Sequence, residues 1–233
     1  MSTINKNLLA VKHHISEVAL NASRMPASVS LLAISKSHPA LAIIEAAKAG
    51  QTAFGENYEQ EAVKKMQQVR EMAPDLHLEW HFVGPVQSNK TRGIATHFDW
   101  VHSIDRERIA RRLSEQRPPE LPPLNVCIQV NISHEASKSG IEDEEAVFEL
   151  ARAVADLPRL KLRGLMAIPE PEEDPDRQHE PFRQLRNLYE KMRSQGYDLD
   201  TLSMGMTADM DAAIAQGATI VRIGTAIFGS RDA

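Results

Sequence analysis

Lys36 stands just after a short apolar run, Leu31, Leu32, Ala33 and Ile34, with Ser35 between. Such a run suits a strand buried on both faces of a parallel sheet. Pro39 falls where the first turn of a following helix would begin. Lys36 is therefore expected at the C-terminal end of a buried strand, at the mouth of a βα loop. There a rigid element holds the amine partly out of water, which favours the uncharged nucleophile and hence Schiff-base chemistry. The decapeptide alone reads more simply as a strand-end lysine reaching back to solvent, so the case rests on what the chain sets beside it.

The elements that would position this lysine are legible as an alternation. Ile4, Leu8, Val11, Ile15 and Val18 recur at helical spacing, predicting an amphipathic helix over residues 3–22. Eight strand candidates follow, at 30–35, 52–55, 79–83, 98–104, 124–132, 162–168, 201–204 and 219–223, with helical patterns between them. Asp105 is the expected N-cap of the helix through Gln116, and the Pro-rich acidic run from Ile168 to Pro181 is expected to be an exposed, mobile loop. Strands alternating with helices argue for a parallel sheet, and eight units within about 200 residues match a (β/α)8 barrel. The expected fold is α/β: a single (β/α)8 TIM-type barrel over residues 1–233 with an extra N-terminal helix. A doubly wound open sheet is the alternative.

In a barrel the chemistry sits on the loops after the strand C-termini. Those ends supply Lys36, the Glu56-Asn57-Tyr58 run, Gly84 to Lys90, His102 and Ser103, Asn131 to Lys138, Met166, Ser203 to Thr207, and Arg222 to Thr225. Gly205 and Thr207 with Gly224 and Thr225 look like an anion cradle of backbone N–H groups and hydroxyls. Glycines at strand ends are often turn chemistry alone. Beside a lysine on the first strand, a phosphate cradle gains weight and suggests two classes: pyridoxal 5′-phosphate (PLP) on a Schiff-base lysine, or a sugar-phosphate aldolase.

Composition narrows the field. The chain has 233 residues, a net charge of −5 and a pI near 6.0, which gives no electrostatic case for nucleic acid or an anionic membrane. Its single cysteine, Cys127, rules out an internal disulfide and a cysteine-cluster metal site. With no signal peptide and no apolar run of membrane-spanning length, the expected location is cytoplasmic. The outer helices show no heptad seam, so a monomer is expected.

The stretches LLAISKSHP, FGENYEQE, EWHFVGPVQSNK, SKSGI, LRGLMAIP and SMGMTADM, with AAIAQGATIVRIGTAIFG after the last, occur in this order from about Leu31 to Gly229. Together they resemble the pyridoxal-phosphate homeostasis protein family, which is similar in fold to the N-terminal barrel of alanine racemase and eukaryotic ornithine decarboxylase. The resemblance implies that Lys36 carries PLP as a Schiff base and that Asn57 lies beside the ring and its O3′ region. It implies phosphate binding by Ser203, Gly224 and Thr225, Arg222 facing the pyridine nitrogen, and Met166 packing near the ring. Lys138 corresponds to a loop lysine that assists cofactor handling, though a plain exposed lysine fits as well. His81 and the GPVQSNK loop are characteristic of the family but suggest no chemical task. The sequence departs from the family at Thr207 and Ala208, where a serine and a polar residue are common; threonine keeps the hydroxyl.

The resemblance implies storage, buffering or delivery of PLP, with apo PLP-dependent enzymes as transient recipients and little or no turnover. The alternative is a PLP-dependent amino-acid racemase or lyase. Racemisation needs a second acid/base on the opposite ring face, which racemase relatives take from a tyrosine of a second domain. This sequence ends four residues after Gly229, and Tyr58 is its only tyrosine near the expected site.

Overall fold

The computed structural model describes residues 2–133 and 139–229, so Lys138 lies outside the described residues. Eight parallel strands close into a barrel in sequence order: β1 (Ser30–Ile34), β2 (Ala53–Glu56), β3 (Glu79–Phe82), β4 (Trp100–Ile104), β5 (Leu124–Gln129), β6 (Leu160–Met166), β7 (Thr201–Ser203) and β8 (Ile220–Ile223). The barrel shuts between β1 and β8, where Leu32 pairs with Arg222 and Ala33 with Ile223. That register sets the two residues of greatest chemical interest on neighbouring strands.

Helices α2 (Ala40–Lys48), α3 (Glu59–Met72), α4 (Thr91–His97), α5 (Glu107–Gln116), α6 (Glu144–Ala155), α7 (Pro175–Ser194) and α8 (Met210–Ala215) cover the outside, with α9 (Thr225–Phe228) directly after β8. The extra helix, α1 (Thr3–Asn21), is capped by the Ser2 hydroxyl, which accepts from the Asn5 amide. Its stripe Leu8, Val11, Ile15 and Ala19 is buried.

Several predicted boundaries move for local reasons. Arg106, not Asp105, is the residue before α5, and no side-chain cap forms there. The Asp143 carboxylate caps α6 by accepting from the Ala146 amide. The loop after β6 is shorter than its proline content suggests. Asp174 caps α7, Pro175 takes a first-turn position where no N–H is needed, and Pro181 is carried inside the helix. β5 ends at Gln129, beyond which Val130 makes only an isolated bridge to Ile141.

The buried residues fall into two environments. One continuous apolar cluster lies between barrel and helices, with Ile43, Phe54, Ile94, Phe98, Leu113 and Phe182 among its fully buried members. Trp100, Cys127 and Met166 form a separate cluster, with Ile168 against it. The polar side chains of His81, His102, Ser203 and Arg222 are buried as well, each bonded to the next. Buried polar groups persist only when their hydrogen bonds are made, and here the chain of partners does that.

Candidate active-end site and its relatives

β1 brings Lys36 to the C-terminal mouth of the barrel, where it is half-buried. Its loop is clamped on both sides. The Ser35 hydroxyl donates to Glu56 Oε1 at 2.6 Å, and Lys65 Nζ donates to the Ser35 carbonyl at 2.9 Å, to Glu56 Oε1 at 2.7 Å and to Glu61 at 3.0 Å. The Ser37 amide then donates to Glu61 at 2.7 Å. Glu56 is fully buried and Lys65 nearly so, so the pair has left water and depends on these bonds. Burial pushes the Glu56 carboxyl up, with the Lys65 ammonium pulling it down. Ser37 sits at φ +64, a left-handed conformation that the sharp turn after Lys36 imposes. His38 stacks on Phe228 with ring centroids 5.0 Å apart, tying the lysine loop to α9.

Asn57, after β2, is fixed through its backbone. A Cβ on Gly84 would lie 2.3 Å from the Asn57 carbonyl oxygen, so only glycine permits this approach. The Ser103 hydroxyl of β4 donates to the Gly84 carbonyl at 2.5 Å and holds the loop there. The side-chain Oδ1 of Asn57 is buried with no partner among the described residues. An orphaned amide oxygen of this kind suits a ligand that brings a donor.

On the opposite side Arg222 is buried, with Nη1 donating to the Ser203 carbonyl at 2.7 Å and hydroxyl at 2.8 Å, and Nη2 to the Ala167 carbonyl at 2.8 Å. Three of about five N–H groups are thereby used. Burial draws the guanidinium down to about 10, opposed by the Asp209 carboxylate. It remains a cation at neutral pH. Asp209 is itself spent on the turn after β7, accepting from the Met206 amide at 2.6 Å.

The expected phosphate residues part company. Gly224 and Thr225 open α9 beside β1, and a Cβ on Gly224 would come 3.1 Å from the Ile34 carbonyl oxygen. Thr225 is exposed, as is Thr207 across the loop. Ser203 is different. Its hydroxyl is fully buried and engaged by Arg222 at 2.8 Å and by His102 Nδ1 at 2.7 Å. Met166 is fully buried in the Trp100–Cys127 cluster. Burial pushes the Cys127 thiol up to about 12, which makes it inert.

Sequence reading missed Lys65, Glu61, His38 and Phe228, because nothing in a polar helix or a loop histidine signals which strand end it will meet. Glu61, His38, Phe228, Ser35 and Gly84 lie inside the stretches that resemble the family but carried no assigned role. A cavity of 720 Å³ opens at the other mouth of the barrel, where Glu79, His81, Trp100, Arg163 and Asp200 line it.

This barrel, with a lysine ending β1 and an arginine on β8, matches the alanine racemase N-terminal domain over residues 7–232. The pyridoxal phosphate homeostasis protein of Escherichia coli K12 is 57% identical over all of this chain and 98% of its own length. That of Pseudomonas aeruginosa is 58% identical, again over all of this chain and 97% of its own. The chain belongs to the pyridoxal phosphate homeostasis protein family. Among solved structures, PipY of Synechococcus elongatus with PLP bound is similar at a TM-score of 0.79 and 38% identity, covering 92% of this chain and 100% of that one.

Proposed function

We infer that the protein binds PLP and acts in its homeostasis, as a carrier rather than a catalyst. The observation that supports this best is the placement, on neighbouring strands, of Lys36 on a clamped loop and of a buried guanidinium at Arg222. The family's naming and the PLP-bound relative point the same way. The residues present fit the cofactor: an amine for its aldehyde, an orphaned acceptor at Asn57, a cation for its ring-nitrogen side, and the Gly224–Thr225 turn for its phosphate. When bound, PLP supplies an aldehyde that combines with amines and a conjugated ring that can draw electrons.

The residues of this chain would act as follows. The Glu56–Lys65–Glu61 clamp fixes the Ser35 and Ser37 backbone and so points Lys36 at the mouth. Asn57 presents its carbonyl oxygen, and Gly224 and Thr225 offer N–H and hydroxyl donors. Met166 closes the interior beneath the ring. Ser203 and the Ala167 carbonyl orient Arg222. A permanent positive charge there opposes protonation of the ring nitrogen, which weakens the electron sink that racemases and lyases need. Tyr58 is 61% exposed, and the Tyr189 hydroxyl donates to the Leu199 carbonyl, so neither is held over the site as an acid or base.

Residues 1–233 read as one domain, since α1 through α9 share one apolar cluster. We further propose a cytoplasmic monomer that hands PLP to apo-enzymes. Among the described residues no helix is long and apolar enough to cross a membrane. Mixing the loaded protein with an apo PLP enzyme tests delivery: recovery of that enzyme's activity faster than with the same free PLP concentration is expected, and no recovery contradicts it. Incubating the loaded protein with amino acids in D2O separates the rival reading, because steady α-proton exchange would make it an enzyme.

A further inference from the structure

Below Arg222, four buried or half-buried groups form a single file toward the opposite mouth. Ser203 Oγ lies 2.7 Å from His102 Nδ1, His102 Nε2 lies 2.8 Å from His81 Nδ1, and His81 Nε2 lies 2.7 Å from Glu79 Oε1. Glu79 is half-exposed beside the 720 Å³ cavity, while His81 and His102 are buried. The direction of every bond in the file follows once the Ser203 hydroxyl donates to His102. Arg222 can only donate, so the hydrogen of Ser203 has one acceptor among the described residues, His102 Nδ1. Burial, with His81 and Arg222 nearby, holds His102 well below the ordinary histidine range, so it is neutral and its hydrogen sits on Nε2. That hydrogen goes to His81 Nδ1, and the Nε2 hydrogen of His81 goes to Glu79. The carboxylate is held low chiefly by that bond.

We propose that Glu79, His81 and His102 are positioning residues for Arg222, acting through Ser203 as a polarised relay that links the two mouths of the barrel. The inference rests on the reading of Arg222 as the residue facing the ring nitrogen of PLP. Each donor in the file points away from the site, so the Ser203 lone pairs are turned toward the guanidinium and its place is fixed. Successive bonds polarise one another, and the Glu79 charge strengthens the arginine's hold on Ser203 from the far end of the file. The relay moves no proton to the ring, because the guanidinium at its end does not give one up. His81 stacks on Trp100, with ring centroids 5.3 Å apart and planes 7° apart, and Arg163 lies 4.5 Å above the same indole, so the file's lower half is braced from the side.

The first test uses cofactor-free protein. In the 15N-edited histidine spectrum at neutral pH, His81 and His102 should each carry one hydrogen, on Nε2. A hydrogen on Nδ1 of either ring would overturn the relay, whether or not PLP binds. The second test uses PLP-loaded protein. Glu79→Gln keeps an acceptor at a half-exposed position but removes the charge, and should shift the visible band and speed PLP release a few-fold. His102→Phe should speed release by about tenfold, the equivalent of one lost hydrogen bond at the upper end of the usual range. A purely structural role would lower the melting temperature and leave band and release unmoved in Glu79→Gln, which would overturn the proposal. If loaded wild-type protein shows no adduct on Lys36, the cofactor reading has failed separately, and the histidine spectrum alone decides the relay.

Discussion

The two sides of the site are held by opposite means. The lysine side is fixed by formal charges taken out of water, Lys65 between Glu56 and Glu61, with the serine backbone strung across them. The arginine side places its one charge against two carbonyls and a hydroxyl, and continues into buried histidines. The first arrangement is stiff but fragile, because removing one partner strands a buried charge. The second tolerates loss of a bond farther down the file more easily, because what is stranded there is a hydroxyl or an imidazole and not the guanidinium. A mouth that must present a reactive amine and also release its cargo gains from both.

The largest effect should come from breaking the charged side. Lys65→Met leaves the Glu56 carboxylate buried without its cation and should cost about 3–5 kcal/mol of stability, read by denaturant unfolding. A loss below about 1 kcal/mol would show that the clamp is not what holds the lysine loop.

The neutral side should declare itself through pH. His102 is held neutral in the fold by burial and by His81 and Arg222, while the unfolded chain takes up a proton near 6.5. The folded value is the lower one, so its contribution is intact above 6.5 and lost as pH falls below it, at up to about 1.4 kcal/mol per pH unit. Glu79, held low chiefly by its bond to His81, adds a loss with the same sign only nearer the ordinary carboxylate value of 4.5. Melting temperatures from pH 8 to 5 should fall in wild type and fall less steeply in His102→Phe; parallel slopes would remove His102 as the cause.

Two smaller changes sharpen the comparison at its edges. Thr225→Ala should weaken PLP retention by roughly 1–3 kcal/mol if its hydroxyl bonds the phosphate, and unchanged retention would take it out of the site. His38→Ala deletes the stack on Phe228 that joins the lysine loop to α9, and should cost about 0.5–1.5 kcal/mol in a thermal melt.

The fold was open to sequence reading because buried parallel strands are apolar runs and helices are stripes, and both periods survive in the chain. Boundaries slipped where capping decided them, as at Arg106 and Pro175. The reactive groups were legible for another reason: Lys36 and Arg222 sit at strand ends, and strand ends of a barrel converge. What holds them was not. Lys65 and His102 look like an ordinary helix lysine and an ordinary strand histidine, and their roles exist only once β2 meets α3 and β4 faces β7 across the interior. The family resemblance, not spacing, assigns Ser203 to the phosphate. Its hydroxyl turns inward to Arg222 and His102, a choice that sequence spacing does not encode.

The most direct test of the account is the visible absorption spectrum of the protein with PLP, before and after borohydride, followed by peptide mapping of the reduced adduct. The account predicts a visible band that reduction removes, with the cofactor fixed on Lys36 and no adduct in Lys36→Ala, which should stay folded by circular dichroism. No band after adding PLP, or an adduct on another lysine, would contradict it.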